Sequence, residues 1–236
     1  MNKLIFILAL SCLIAIDGSA QFSVYSGPAQ TFIESAIKDI YKDQAEEILR
    51  TTKTYNCNDP EFDWQQYNDK TGKALVSKNF LELESKKDDL YCMSFCELPI
   101  DMRSDDFSVK LMMTPVKFSD NNPIGIVYDV ESESNYRMLL LMKKSFQLVN
   151  VSDGKMSIVK KGLYKMPDKS KLILLDITRQ KGKLIFSING LEMIRTSSPE
   201  MKNPNFGFAV GPKAKLLGFG IGYEKVSPDL DEEGQL

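Results

Sequence analysis

Apolar and polar residues alternate through Leu184-Ile185-Phe186-Ser187-Ile188-Asn189, which places Leu184, Phe186 and Ile188 on one face of an extended strand. The same pattern flanks it at Leu172–Arg179 and Leu191–Thr196. Asn189-Gly190 accepts the positive φ angles of a tight type I′ turn, and Lys181-Gly182 turns the chain one strand earlier. Asp106–Val116 alternates as clearly, with Phe107, Val109, Leu111 and Met113 against Ser108, Lys110, Met112 and Thr114. Further short strands are predicted at 74–76, 80–84, 91–98, 124–129, 135–143, 146–151, 155–160, 205–210 and 215–224. Strands this short and frequent predict an all-β sandwich or barrel. Two of them, Asn135–Lys143 and Leu172–Ile177, are apolar on both faces and should be covered twice.

The period changes once. Ile33, Ala36, Ile37, Ile40, Tyr41, Ile48 and Leu49 recur at helical spacing after the capping box Thr31-Phe32-Ile33-Glu34, predicting an amphipathic helix over 31–50. Its apolar stripe should dock on the protein's own sheet. Between helix and strands, 51–72 is polar, with turn signals at Asn58-Asp59-Pro60 and Asn68-Asp69-Lys70.

The ends differ from the middle. Lys3, the apolar run from Leu4 to Ile16 and the small residues Gly18-Ser19-Ala20 form a signal peptide over 1–20, so the mature chain is expected to begin at Gln21. That implies a secreted, periplasmic or cell-surface protein; lipoprotein processing before Cys12 ranks below it, because Leu13–Ile16 continue the apolar run. No spanning segment is expected after cleavage. Residues 226–236 carry Pro228 and four acids, reading as an acidic tail. The expected organisation is signal peptide 1–20, extension 21–72, sandwich 73–225 and tail 226–236.

Composition removes several chemistries. With no histidine, the chain lacks the general base of Ser-His-Asp and Cys-His catalysis and the imidazole ligands of many zinc sites. A formal net charge of −2 supplies no basic surplus for nucleic acid. Cys57, Cys92 and Cys96 remain in the mature chain. On one regular strand Cys92 and Cys96 stand about 13 Å apart at ~3.3 Å per residue, too far to bridge. A disulfide from Cys57 to Cys92 or Cys96 is one reading, and three buried thiols the other.

The strands Asp106-Phe107-Ser108-Val109, Ile124-Gly125-Ile126-Val127-Tyr128-Asp129, Ser134-Asn135-Tyr136-Arg137-Met138-Leu139, Phe186-Ser187-Ile188-Asn189-Gly190 and Asn205-Phe206-Gly207-Phe208-Ala209-Val210 follow a familiar order. Over Lys73–Glu224 the chain resembles the concanavalin A-like lectin/glucanase superfamily, including laminin-G-like and 3-keto-disaccharide hydrolase-like domains. The resemblance implies a two-sheet antiparallel jelly-roll sandwich and a concave sheet that binds glycans in many relatives; the N-terminal helix, expected from its periodicity to pack on the sandwich, is not part of the usual pattern. A helix lying over that sheet would obstruct it.

Three candidate sites follow. Asp129, Glu131 and Glu133 alternate, so one strand would present all three on one face, as general acid and base or nucleophile of a glycosidase. Some glucanases of the resembling superfamily use Glu-x-Asp-x-Glu-type strands, where this chain has Asp-x-Glu-x-Glu. The same oxygens suit calcium, the only cofactor the sequence suggests. Tyr128, Asp129, Asn135, Arg137 and Gln147, from three consecutive strands, would combine an aromatic platform with a hydrogen-bonding fork for sugar hydroxyls. Trp64, the single tryptophan, offers a stacking surface or a core plug. Asn150-Val151-Ser152 has the form of a glycosylation acceptor. The leading expectation is an exported, non-catalytic binding module for a carbohydrate or a surface protein. The alternatives are a glycosidase-type hydrolase and a scaffold whose groove is filled.

Overall fold

The computed structural model describes residues 54–77, 79–103, 106–164 and 172–226. The signal peptide, the helix over 31–50 and the tail beyond Val226 lie outside the described residues. Fifteen strands follow in order. They are β1 (Tyr55–Asn56), β2 (Tyr67–Asn68), β3 (Gly72–Val76), β4 (Leu81–Ser85) and β5 (Cys92–Glu97). Next come β6 (Phe107–Lys117), β7 (Ile124–Ser132), β8 (Asn135–Leu141), β9 (Ser145–Ser152) and β10 (Lys155–Leu163). The last are β11 (Ile173–Gln180), β12 (Lys183–Ile188), β13 (Leu191–Ser197), β14 (Asn205–Val210) and β15 (Lys215–Lys225). There is no helix among the described residues.

The strands form two antiparallel sheets. One has nine strands, ordered β13-β12-β11-β6-β15-β4-β3-β2 with β1 also paired to β15; the other has six, ordered β10-β9-β8-β7-β14-β5. The sandwich predicted from periodicity is present. It also draws in β1 and β2 from the stretch expected to be a polar connection.

The central meander forms as its sequence requires. Asn189 and Gly190 have φ of 48° and 79°, the left-handed pair that closes a two-residue hairpin whose twist matches its strands. Asn189 does more than turn: its backbone N–H donates to Leu174 O and its Oδ1 accepts from Leu174 N, both at 2.8 Å, tying the turn to β11.

Inward side chains of the two sheets form one core. Phe107, Val109, Leu111 and Met113 of β6 face it as expected, alongside Ile126, Phe186, Phe206 and Phe208. The opposite faces are less polar than simple alternation implies. Met112 and Thr114, on the far side of β6, are fully buried. On the outer face of the six-stranded sheet, Val127, Met138, Leu140, Val149 and Val151 form a second apolar cluster. The double burial expected of the 135–143 strand is present over Met138–Met142, while Asn135–Arg137 and, on β11, Leu174 are only half-buried and Lys143 is exposed.

The cysteines are free thiols, and the disulfide expectation from Cys57 to Cys92 or Cys96 is corrected. All three are buried, and each sulfur faces a main-chain carbonyl: Cys57 that of Gly218 at 3.4 Å, Cys92 that of Thr71 at 4.0 Å and Cys96 that of Phe206 at 3.9 Å. Burial pushes the Cys96 thiol up to about 12, helped by the charge of Asp63, so it stays protonated and behaves as a small apolar residue.

Two predictions arise from this packing. A Cβ on Gly207 would meet Ser94 O at 2.0 Å and Phe95 Cα at 2.5 Å, both backbone atoms that cannot step aside. Gly207→Ala should lower stability by about 3 kcal/mol, seen as a reduced urea midpoint. On β4, Glu82 is 12% exposed and accepts from Lys73 Nζ at 2.7 Å and Lys215 Nζ at 2.8 Å. Burial raises its carboxyl, but the bonds from Lys215 and Lys73 outweigh that and hold it at about 2, against an ordinary 4.5. A lowered folded value stabilises the protein above the unfolded pKa, so this contribution, on the order of 2–3 kcal/mol, should disappear as pH falls from about 4.5 to 2. Glu82→Gln should flatten the stability–pH curve across that window.

Candidate functional site

Cross-strand register sets the site. One row across the inward face of the six-stranded sheet runs Cys96, Phe206, Tyr128, Arg137, Asn150, Ser157 from β5 to β10. The neighbouring row runs Ser94, Phe208, Ile126, Leu139, Leu148, Lys160. Both begin in the core and end in polar side chains at the lateral rim. There Lys160 Nζ donates to the Arg195 carbonyl of β13 at 3.4 Å, so the two sheets' edge strands meet on this side. Arg195 is held by Glu192, with Nη2 to Oε2 at 2.6 Å.

Asp129 fixes the inner end of the polar stretch. Its φ of 51° takes β7 out of regular extension, and the β7–β8 register shifts between Tyr128 and Ser132. The side chain, 9% exposed, turns to the loop before β14. Its Oδ1 accepts from Lys202 N at 2.8 Å, Asn203 N at 3.0 Å and Asn203 Nδ2 at 3.4 Å, and its Oδ2 accepts from Arg137 Nη1. Arg137 Nη1 also donates to Glu200 O at 3.0 Å, and Asn205 Nδ2 to Val130 O at 2.8 Å. The carboxylate thus clasps a loop and aims a guanidinium. Both carboxylate oxygens are engaged within the protein, Oδ1 by the loop and Oδ2 by Arg137.

The sequence-predicted residues are therefore redistributed. Asp129, Glu131 and Glu133 do not share a face, because the left-handed residue at 129 breaks the alternation; Glu131 and Glu133 are exposed while Asp129 is buried. Neither the catalytic alternative nor the calcium alternative finds its three carboxylates together. Among the described residues no group of three or more His, Cys, Asp or Glu could hold a metal ion.

Tyr128 is no platform. It lies in the inter-sheet core with its ring 5.6 Å from that of Phe186, and burial pushes its hydroxyl well above the usual tyrosine range. Trp64 is likewise 4% exposed, stacked on Phe208 at 5.4 Å, and fills the core. Its Nε1–H has no partner among the described residues. Gln147 pairs with Leu140, on the outward face away from Arg137. Asn135 joins two turns, donating from Nδ2 to Ser132 Oγ at 3.3 Å and accepting from Asp153 N at 3.0 Å. The Asn150-Val151-Ser152 acceptor lies within β9, with Asn150 half-buried between Arg137 and Ser157.

Arg137, Asn150, Ser157 and Lys160 are what the fold brings to one place, with Asp129 behind them. Sequence reasoning named Arg137 and missed Asn150, Ser157 and Lys160 as site residues. Lys160 could not be placed from alternation, because a register shift between Ile158 and Lys160 moves it to the inward face. The set offers guanidinium, amide, hydroxyl and ammonium groups on adjacent strands roughly 5 Å apart, which suits several hydroxyls or an anion held by hydrogen bonds.

No protein family matches the sequence, and no curated protein matches it. Solved structures do share the fold. The carbohydrate-binding module CBM66 from Bacillus subtilis superposes with a TM-score of 0.52 at 15% identity, over 68% of this chain and 94% of that one. A legume lectin-like domain from Entamoeba histolytica superposes at 0.51 and 13% identity, over 74% of this chain and 97% of that one. The likeness is one of fold: a two-sheet, jelly-roll β-sandwich.

Removing the clasp should loosen the loop it holds. Asp129→Ala strips charged hydrogen bonds from two backbone amides and from Arg137, and should cost roughly 1.5–3 kcal/mol in urea unfolding. Limited proteolysis should then cut preferentially between Glu200 and Asn203.

Proposed function

We propose that the chain is an exported, non-catalytic module that binds carbohydrate along Arg137, Asn150, Ser157 and Lys160. The observation carrying this reading is the inward row that turns from apolar to polar at the rim of a jelly-roll sandwich. Sugar hydroxyls both donate and accept, as the Asn150 amide does, and Ser157 Oγ, which donates to Asn150 O at 3.1 Å, can accept. Arg137 is already aimed by Asp129, so little ordering entropy is lost when it binds. The fold shared with a carbohydrate-binding module and a lectin-like domain supports the same class of ligand. A non-catalytic role is supported by Asp129, whose Oδ1 holds the loop and whose Oδ2 holds Arg137, and by its separation from Glu131 and Glu133. Export is supported by the segment Met1–Ala20 and its small-residue end.

Calorimetric titration of the mature chain with neutral and uronate-bearing polysaccharides tests the reading. At least one polysaccharide should bind, and Asn150→Ala combined with Ser157→Ala should weaken it at least fivefold without changing the melting temperature. Binding by none of the panel would defeat the proposal. Release of reducing sugar that disappears in Glu131→Gln would replace it with the hydrolase alternative.

A further inference from the structure

Among the described residues, strand β10 ends the six-stranded sheet with β9 as its single neighbour. Its nine residues are exposed except for Gly162, unlike those of any other strand in the sandwich. Beside the polar side chains a solvated edge favours, it exposes four apolar ones: Met156 is 42% exposed, Ile158 52%, Val159 63% and Leu163 85%.

Register divides them by face. Met156, Ile158, Lys161 and Leu163 pair with Val151, Val149, Gln147 and Ser145 and point outward, where Met156 and Ile158 extend the apolar cluster of Val149 and Val151. Lys155, Ser157 and Lys160 pair with Ser152, Asn150 and Leu148 and point inward. Val159 occupies the register shift and splits the edge into two regular stretches. The strand itself carries three lysines and no acid, and Lys143 and Lys144 follow β8 at the end where Leu163 lies.

We propose that β10 is a docking edge for an extended segment of a partner protein, which adds as a further antiparallel or parallel strand with acidic residues facing Lys155 and Lys160 and branched apolar residues beside Met156 and Ile158. An edge strand supplies unpaired backbone groups at every second residue, which is what an added strand needs. Charge selects the occupant. Two copies of β10 side by side would bring six lysines into one ribbon with no acid among them, and like charges across strands are destabilising. A strand alternating acidic and apolar residues satisfies both faces at once. Lys160 is shared with the carbohydrate reading, whereas the backbone edge and the outward Met156 and Ile158 are not, so the N-methylated peptide and Ile158→Asp separate this inference from that one.

Fluorescence anisotropy with a labelled ten-residue peptide alternating Glu and Val tests it on the mature chain. The peptide should bind, and Lys155→Glu with Lys160→Glu should weaken it at least tenfold. Ile158→Asp should weaken it separately, with circular dichroism and melting temperature unchanged because both sites are exposed. A peptide N-methylated at alternate residues, which cannot donate to the edge, should fail to bind. Equal binding of the methylated peptide, or competition by a sulfated polysaccharide that the same lysine variants abolish while Ile158→Asp does not, would reduce the edge to a polyanion site and overturn the proposal. Absence of peptide binding would overturn it too, as would a dimer in sedimentation that Ile158→Asp dissociates.

Discussion

Aromatic rings hold the two sheets face to face, and the remainder of the structure depends on that contact. Phe107 of β6 meets Phe206 of β14 edge-on at 5.6 Å, and Phe186 of β12 meets Tyr128 of β7 at the same distance. Trp64 stacks on Phe208 from the loop before β2. Each ring removes a large apolar area from water, and each pair adds directional preference to that burial. Because the rings belong to strands from distant parts of the chain, they fix which rows of the sheets oppose each other.

The rim becomes polar for the same reason. Along the Phe206–Tyr128–Arg137–Asn150–Ser157 row, the first two positions are opposed by core side chains, whereas Ser157 is open to solvent. A charged side chain at Arg137 is tolerated because Asp129 neutralises it at the boundary, where full desolvation is not imposed. Asp129 in turn needs the loop amides of Lys202 and Asn203, so the loop and the guanidinium are positioned together. One carboxylate thus links the order of the core to the geometry of the rim.

The edges of the sheets are handled unequally. At β13 the Glu192–Arg195 ion pair occupies the surface, which discourages further pairing. At β10 lysines are interleaved with exposed Met156, Ile158 and Val159, a mixture that repels copies of itself while leaving apolar surface in water. On the far side of both sheets, Met112 of β6 and Val127 of β7 are fully buried, so neither sheet presents a bare apolar face at its centre.

Period-two alternation and turn chemistry in the sequence were enough to determine the strands from β3 onward, the Asn189-Gly190 hairpin, the sandwich class and the double burial of 138–142, because these depend on neighbours a few residues apart. The left-handed φ at Asp129, the shift at Ile158/Lys160 and the burial of Tyr128 and Trp64 depend on partners far along the chain. They turned three alternating carboxylates into one clasp and two exposed side chains and sent Lys160 to the inward face, while the regular β8–β9 register set Asn150 beside Arg137 and Gln147 on the opposite face. A one-residue irregularity sends every following side chain to the other face of a strand. Which residues meet at the rim was therefore decided only when the sheets closed, since no local pattern encodes where a ladder slips.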